Sequence, residues 1–104
     1  MTNLKLSDNK VKVMTDWDTI SFVMASQPRL RVFLELAKSE NTPSKLAEEL
    51  SIPLSHVSKA LSELEEKNLV KCLTPNRRKM KFYQVTGKGQ KLKKELRELL
   101  EDEE

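Results

Sequence analysis

The pattern of apolar and polar residues predicts four helices, then a β-hairpin, then a final helix. From residue 16 onward, apolar side chains recur every three or four positions, which is typical of helices packed on a core. Residues 1–15 lack that period, and we expect this segment to be loose or extended. Helix starts are predicted where a side chain can cap free backbone N–H groups, at Asp16 or Asp18, at Thr42 and at Thr86.

The helical period also predicts which face of each helix is buried. Apolar residues three, four and seven positions apart lie on one side of a helix. In chain order, the apolar residues at helical spacing are Trp17, Ile20, Val23 and Met24; Leu30, Phe33, Leu34 and Ala37; Leu46, Ala47 and Leu50; Val57, Ala60, Leu61 and Leu64; and Leu92, Leu96, Leu99 and Leu100. Pro28 suits the first turn of the second helix, where its missing N–H is not needed.

The period changes after Asn68, which we expect to end the fourth helix. The segments "LVKCL" and "KFYQV" are short and partly β-branched or aromatic. Because they flank a Pro75–Asn76 turn, they predict a hairpin. The hairpin tip, residues 75–81, carries four cations, which are Arg77, Arg78, Lys79 and Lys81. Taken alone, this cluster fits a solvated loop as well as a contact with a polyanion.

Composition predicts one small globular domain. The chain has 104 residues, of which 38% are hydrophobic and 34% charged, which allows a core and excludes a disordered chain. We assign residues 16–101 to this domain, with its last helix at 87–101, and residues 102–104 to an acidic tail. No apolar run approaches the roughly 20 residues of a membrane span, and the N-terminus lacks a signal-peptide core. The single cysteine, Cys72, excludes an internal disulfide and fits a reducing cytoplasm.

Charge is distributed unevenly along the chain. The net charge is only +3, but residues 67–94 hold ten Lys or Arg and no Asp or Glu. The remainder has nine basic and sixteen acidic residues, a balance of −7. Such asymmetry suggests a local cationic surface for a polyanion, although most charge runs are simply solvated.

A short helix, a tight turn, a second helix and a hairpin are the elements of a winged helix-turn-helix. The second of these helices, at about 54–67, is predicted to bury its apolar side and to expose Ser55, His56, Ser58, Lys59, Ser62 and Glu66. Most of these side chains are short and polar, and the major groove of DNA admits an α-helix whose N-terminal residues meet the bases. We therefore expect an α+β, mostly α, winged-helix fold.

Three segments resemble the ArsR- and MarR-type winged-helix regulators. They are "MASQPRLRVFLEL", "TPSKLAEELSIPLSHVSKALSELEEKNLVK" and "KMKFYQVTGKGQKL", which together cover roughly residues 20 to 95. The resemblance implies a cytoplasmic DNA-binding repressor or activator, usually a homodimer. It also implies which residues face double-stranded DNA: Ser55, His56, Ser58, Lys59 and Ser62 in the helix, and Arg77, Arg78, Lys79 and Lys81 in the wing.

The chain departs from that family in two respects. The turn has Ser51 where a glycine is usual, and Pro53 stands where a capping serine or threonine is usual. The cysteine pairs of metal-sensing ArsR proteins are also absent. Because His56 and Cys72 are the only histidine and cysteine and lie sixteen residues apart, they predict no metal site. Nothing in the sequence names a small-molecule effector.

No catalytic motif, phosphate loop or cofactor signature is present, so we expect a binding protein that is not an enzyme and has no cofactor. Two other functions stay open. The domain could be a winged helix for protein contact within a transcription, repair or chromosome complex, or a nonspecific chromatin protein. In a domain this small, apolar residues near both termini suggest burial against a second copy. The expected dimer contacts are Trp17, Ile20, Leu92, Leu96 and Leu99.

Overall fold

The elements follow one another in the order that the sequence predicts. The computed structural model describes residues 16–101, so the expectations for residues 1–15 and 102–104 fall outside the described residues. The elements are α1 (Trp17–Met24), α2 (Gln27–Leu36), α3 (Pro43–Leu50), α4 (Leu54–Glu66), β1 (Val70–Cys72), β2 (Tyr83–Val85) and α5 (Gly87–Glu101). Five helices and one two-stranded antiparallel sheet thus make up the described part of the chain, which confirms the predicted fold class.

Side-chain caps fix where the helices begin. Asp16 caps α1 by accepting from the backbone N–H of Thr19 at 3.1 Å and from the Thr19 hydroxyl. These hydrogen bonds hold the pKa of Asp16 below its ordinary value. Thr42 accepts from the N–H of Lys45 at 3.3 Å, and Thr86 from the N–H of Gly89 at 3.1 Å. The predicted caps at these three positions are therefore confirmed.

Helix α2 lies at the centre of the core, where it contacts α1, α3, α4 and β2. Its most buried side chains are Val32, Phe33 and Leu36. The predicted stripe was partly wrong here, because Leu30 and Leu34 are only half-buried. A helix packed on several sides buries more than one stripe, so the periodicity of an amphipathic surface helix does not describe it.

Helices α3 and α4 form the helix-turn-helix, and the turn between them departs from helical geometry at Ser51. This residue has φ 57° and ψ 46°, the left-handed region, where its backbone N–H still bonds to the carbonyls of Ala47 and Glu48. The left-handed region favours glycine because a Cβ crowds the following carbonyl. The glycine usual at this turn therefore has a physical reason, and the serine keeps the turn at some cost in stability.

Replacing Ser51 with glycine should stabilise the domain by about 0.5–1 kcal/mol, because it removes that steric cost. Thermal or urea unfolding measures the change. Ser62→Gly is the control, since Ser62 lies exposed within the right-handed helix α4 and glycine there should destabilise by a similar amount. If both substitutions lower stability, Ser51 does not hold a strained left-handed turn.

The two strands pair in the register Val70↔Val85, Lys71↔Gln84 and Cys72↔Tyr83. They are shorter than the predicted segments, although Leu73 N still donates to Phe82 O at 2.7 Å beyond the last strand pair. A further antiparallel bridge joins Tyr83 to Asn41, in the loop before α3, through bonds of 2.8 and 3.1 Å. The hairpin is thereby tied to the start of the helix-turn-helix.

Candidate nucleic-acid interface

Helix α4 divides cleanly into a core side and an outer side. Val57, Ala60, Leu61 and Leu64 are buried, as the helical period predicts. The recognition face, as we call the outer residues, is exposed throughout and consists of Ser55, His56, Ser58, Lys59 and Ser62. The first turn of α4 follows Pro53, which makes no side-chain cap, so the start of this helix is open to solvent.

Arg29 on α2 braces α4 from behind. Its guanidinium pairs with Glu63 of α4 at 2.9 Å and stacks over the Phe22 ring at 3.8 Å from the centroid. The same guanidinium donates to the Phe22 carbonyl oxygen. A guanidinium is planar and holds its N–H donors in a fixed arrangement, so it can bind a carboxylate and a carbonyl oxygen while it stacks on an aromatic ring. The orientation of α4 on the core is therefore set partly by a charged brace that apolar periodicity does not reveal.

The wing, meaning β1, β2 and the connecting residues 73–82, comes close to the start of α4. An open groove of about 440 Å³, which we call the wing groove, runs between them and the start of α3, where Thr42, Pro43 and Ser44 line it. Ser58 of the recognition face lines it together with Arg78, Lys79 and Lys81 of the wing. Two sets of residues predicted separately from the sequence, one helical and one in the hairpin, thus border the same groove.

A second groove of about 290 Å³ lies on the other side of α4, between that helix and the start of α2. His56 and Lys59 of the recognition face line it, together with Arg29 and Glu63. The recognition face is therefore a ridge between two grooves, which is the shape that an element entering the major groove of DNA needs. Ser55 and Ser62 line neither groove.

Arg77 has a different position from the other wing cations. Its guanidinium donates to the Met80 carbonyl oxygen at 3.2 Å, and its backbone N–H bonds to Thr74 O at 3.1 Å. Met80 has φ 56°, in the left-handed region, so the hydrogen bond from Arg77 is made to a residue with unusual backbone geometry at the wing tip. We therefore assign Arg77 a part in shaping the tip as well as in the cationic surface.

No described residue neutralises the remaining wing cations. Within residues 16–101, Arg78, Lys79 and Lys81 have no ion-pair partner, whereas Arg29 pairs with Glu63 and Lys38 pairs with Glu35. Arg78 and Lys79 are exposed and Lys81 is half-buried. Unpaired cations at a groove rim attract an anion such as phosphate.

Three of the five expected dimer contacts lie inside the single chain. Ile20, Leu92 and Leu96 are 3%, 4% and 0% exposed, so they belong to the protomer's own core and have no surface left for a partner. Trp17 is 58% exposed and Leu99 is half-buried. The expected dimer surface is thereby corrected to the positions that remain accessible.

Cys72 lies half-buried opposite Tyr83 in the hairpin, and burial raises the pKa of Tyr83 above its ordinary value.

Across the described residues, no three His, Cys, Asp or Glu side chains come together as metal ligands would. The helices of residues 16–101 are all too short or too polar to span a bilayer.

Residues 17–102 match the family described as the N-terminal domain of the methanogenesis regulatory protein FilR1. The chain belongs to this family. The match covers both halves of the helix-turn-helix, the wing and α5, so all parts of the candidate interface lie within the FilR1-type domain. No protein with a curated description matches the chain in sequence.

Solved winged-helix regulators share the fold. ZitR from Lactococcus lactis, as an apo double mutant, is 25% identical, with a TM-score of 0.63 over 96% of this chain and 76% of that one. The homodimeric winged helix-turn-helix DNA-binding domain of Mb0332 from Mycobacterium bovis, a possible ArsR-family regulator, is 21% identical, with a TM-score of 0.65 over 97% and 92%. NMB1585, a MarR family regulator from Neisseria meningitidis, is 16% identical, with a TM-score of 0.65 over 91% and 67%.

These likenesses confirm the winged helix-turn-helix and the resemblance to ArsR and MarR regulators. The family and the fold together support DNA-binding transcriptional regulation, which confirms the function predicted from the sequence. Both are those of regulators rather than of enzymes. Sequence reasoning missed Arg29 as a brace and Met80 as part of the wing groove, because neither residue follows a periodic pattern.

Proposed function

We propose that this FilR1-type domain binds specific sequences of double-stranded DNA and regulates transcription from them. The observation that carries the proposal is the wing groove, which Ser58 borders together with three cations that have no ion-pair partner among residues 16–101, Arg78, Lys79 and Lys81. A groove with a hydroxyl group on one wall and cations on the other suits a sugar–phosphate strand.

In this arrangement α4 enters the major groove with its recognition face toward the bases. Ser55, Ser58 and Ser62 present hydroxyl groups that can donate to or accept from either kind of base edge. Lys59 supplies one cation that can reach guanine acceptors or a phosphate, and His56 lies beside it on the second groove. Sequence choice is therefore assigned to α4.

The wing supplies affinity rather than choice. Arg78, Lys79 and Lys81 carry no internal partner among the described residues, so binding a phosphate costs them no existing ion pair. Contacts to phosphate release condensed counterions from DNA, whatever the sequence. Arg77 contributes from the tip, where it also holds the Met80 carbonyl.

Lys59→Ala and Ser58→Ala should change which duplexes are selected from a random-sequence pool, because each removes a group aimed at base edges. We expect each variant to discriminate less against a wrong base pair at the affected position, by roughly 1–3 kcal/mol of binding free energy. Lys45→Ala is the charge-matched control, since Lys45 is an exposed residue of α3 outside the recognition face. An unchanged selected motif in both Ser58 and Lys59 variants would remove the specificity role from α4.

The domain acts in the cytoplasm as a homodimer in this proposal. Mb0332 is homodimeric, and a symmetric pair of domains would read two half-sites of one operator. Trp17 and Met24 are large apolar side chains, 58% and 44% exposed on α1, and Leu99 is half-buried near the end of α5. Exposed residues of this kind are common anchors in protein interfaces.

Trp17→Glu should shift the protein toward monomers, since a carboxylate at an anchor position cannot be buried against a partner without cost. We expect the dimer dissociation constant to rise at least about 30-fold, as measured by sedimentation equilibrium. Met80→Glu is the control, because Met80 is equally apolar and 66% exposed but lies at the wing tip. Equal weakening by the two substitutions would place the interface elsewhere.

A further inference from the structure

Besides Pro43 at the start of α3, the wing groove contains two exposed apolar side chains that the proposed contacts with phosphate do not explain. Leu54 and Met80 line it alongside Ser58, Arg78, Lys79 and Lys81. They are 49% and 66% exposed, and neither is a member of the hydrophobic core. Contacts to phosphate come from cationic and polar groups, so these two side chains need another explanation.

The backbone positions of both residues place them beside the groove. Leu54 is the first residue of α4, and side chains in a helix tilt toward its N-terminus, the end that leads into a DNA groove. Leu54 also lies four residues before Ser58, so the two share one face. Met80 has φ 56°, a costly conformation for a residue with a Cβ, and Arg77 bonds to its carbonyl oxygen.

The charge around these apolar groups favours DNA as the occupant. No acidic side chain lines this groove among the described residues, whereas three cations do. Thymine is the base that offers an apolar group in the major groove, its C5 methyl, and leucine-sized side chains contact it without needing a hydrogen bond.

We propose that Leu54 reads the C5 methyl group of a thymine at the edge of each half-site, with Met80 closing the groove from the wing side. The inference rests on the proposed DNA-binding function and adds a specificity-determining residue to it. It predicts that the preferred duplexes have a fixed thymine beside the bases read by Ser55, Ser58 and Lys59.

The test uses a duplex selected from a random-sequence pool by the wild-type protein. Each thymine is replaced in turn by deoxyuridine, which removes only the methyl group and keeps base pairing intact. We expect one position per half-site where the replacement weakens binding about fourfold, the effect of one apolar carbon, and about 15-fold when both half-sites are changed.

The same titrations with Leu54→Asn, a polar side chain of similar size, should give equal affinity for thymine and uracil at that position. Leu73→Asn is the control, because Leu73 is also an exposed leucine but does not line the wing groove, and it should keep the fourfold preference. Thermal unfolding of each variant confirms that it is folded.

The outcomes separate the two claims. Failure to select or bind any duplex would overturn the proposed function. Binding without a preference for thymine at any position, or a preference that persists in Leu54→Asn, would overturn the role of Leu54 while leaving DNA binding in place.

Discussion

Replacing Gly89 with alanine should destabilise the domain by about 3 kcal/mol or more. A Cβ at this position would lie within 3.0 Å of both the Leu69 carbonyl oxygen and Cγ1 of Val85. The Leu69 carbonyl oxygen accepts a hydrogen bond from the Thr86 N–H at 3.0 Å. It therefore cannot move aside without breaking this bond at the junction of β1, β2 and α5. Overpacking against such a rigid neighbour usually costs 1–3 kcal/mol and occasionally more.

Thermal and urea unfolding measure this loss, for which we expect a midpoint lowered by roughly 12–24 °C. Gly87→Ala is the matched control, because Gly87 lies in the same first turn of α5 but has no atom within 4 Å of the added Cβ. Alanine there should be neutral or stabilise by up to about 1 kcal/mol. Similar losses at both positions would mean that α5 does not pack as closely on Leu69 as described.

The double variant Arg78→Ala with Lys79→Ala should weaken DNA binding about 10³-fold near 0.1 M salt, without a change in sequence preference. Each phosphate contact contributes about 0.9 to the dependence of log K on log salt, and a dimer would lose four contacts. The salt slope should therefore become shallower by about 3.6. Arg77 is left intact because it also supports the tip through Met80.

Lys91→Ala with Lys94→Ala is the control for the wing variant. It removes the same charge from the same cationic segment, residues 67–94, but from α5 instead of the wing. Fluorescence anisotropy with a labelled duplex at several salt concentrations gives both affinity and slope. If the two double variants weaken binding equally, net charge matters and the wing has no special role.

The order of the elements could be predicted because local chemistry and tertiary packing agree along most of this chain. The caps at Asp16, Thr42 and Thr86 each join residues three positions apart, so they can be recognised in the sequence without knowledge of the fold. The apolar period of α4 also gave its buried face correctly. Helix α2 was less well predicted, since it contacts elements on several sides and burial there depends on neighbours distant in sequence.

The same distinction between local and long-range contacts applies to the candidate site. The recognition face follows from the helical period of α4 once its apolar side is known. The position of the wing beside the helix-turn-helix includes the bridge between Asn41 and Tyr83, a long-range contact with no signal in either segment alone. Periodicity also placed Ile20, Leu92 and Leu96 on apolar faces but could not say whether a face is covered by the same chain or by a second copy.

DNA binding by this domain is tested most directly by titrating the wild-type protein with duplex DNA across a range of salt concentrations. With three to four phosphate contacts per subunit of a dimer, log K should fall against log salt with a slope of about −6. At fixed salt, a selected duplex should bind far more tightly than unrelated sequence. Absence of binding to any duplex near roughly 50 mM salt, where such contacts are strong, would contradict the account and favour a winged helix used for protein contact. Equal affinity for all sequences would favour a nonspecific chromatin protein.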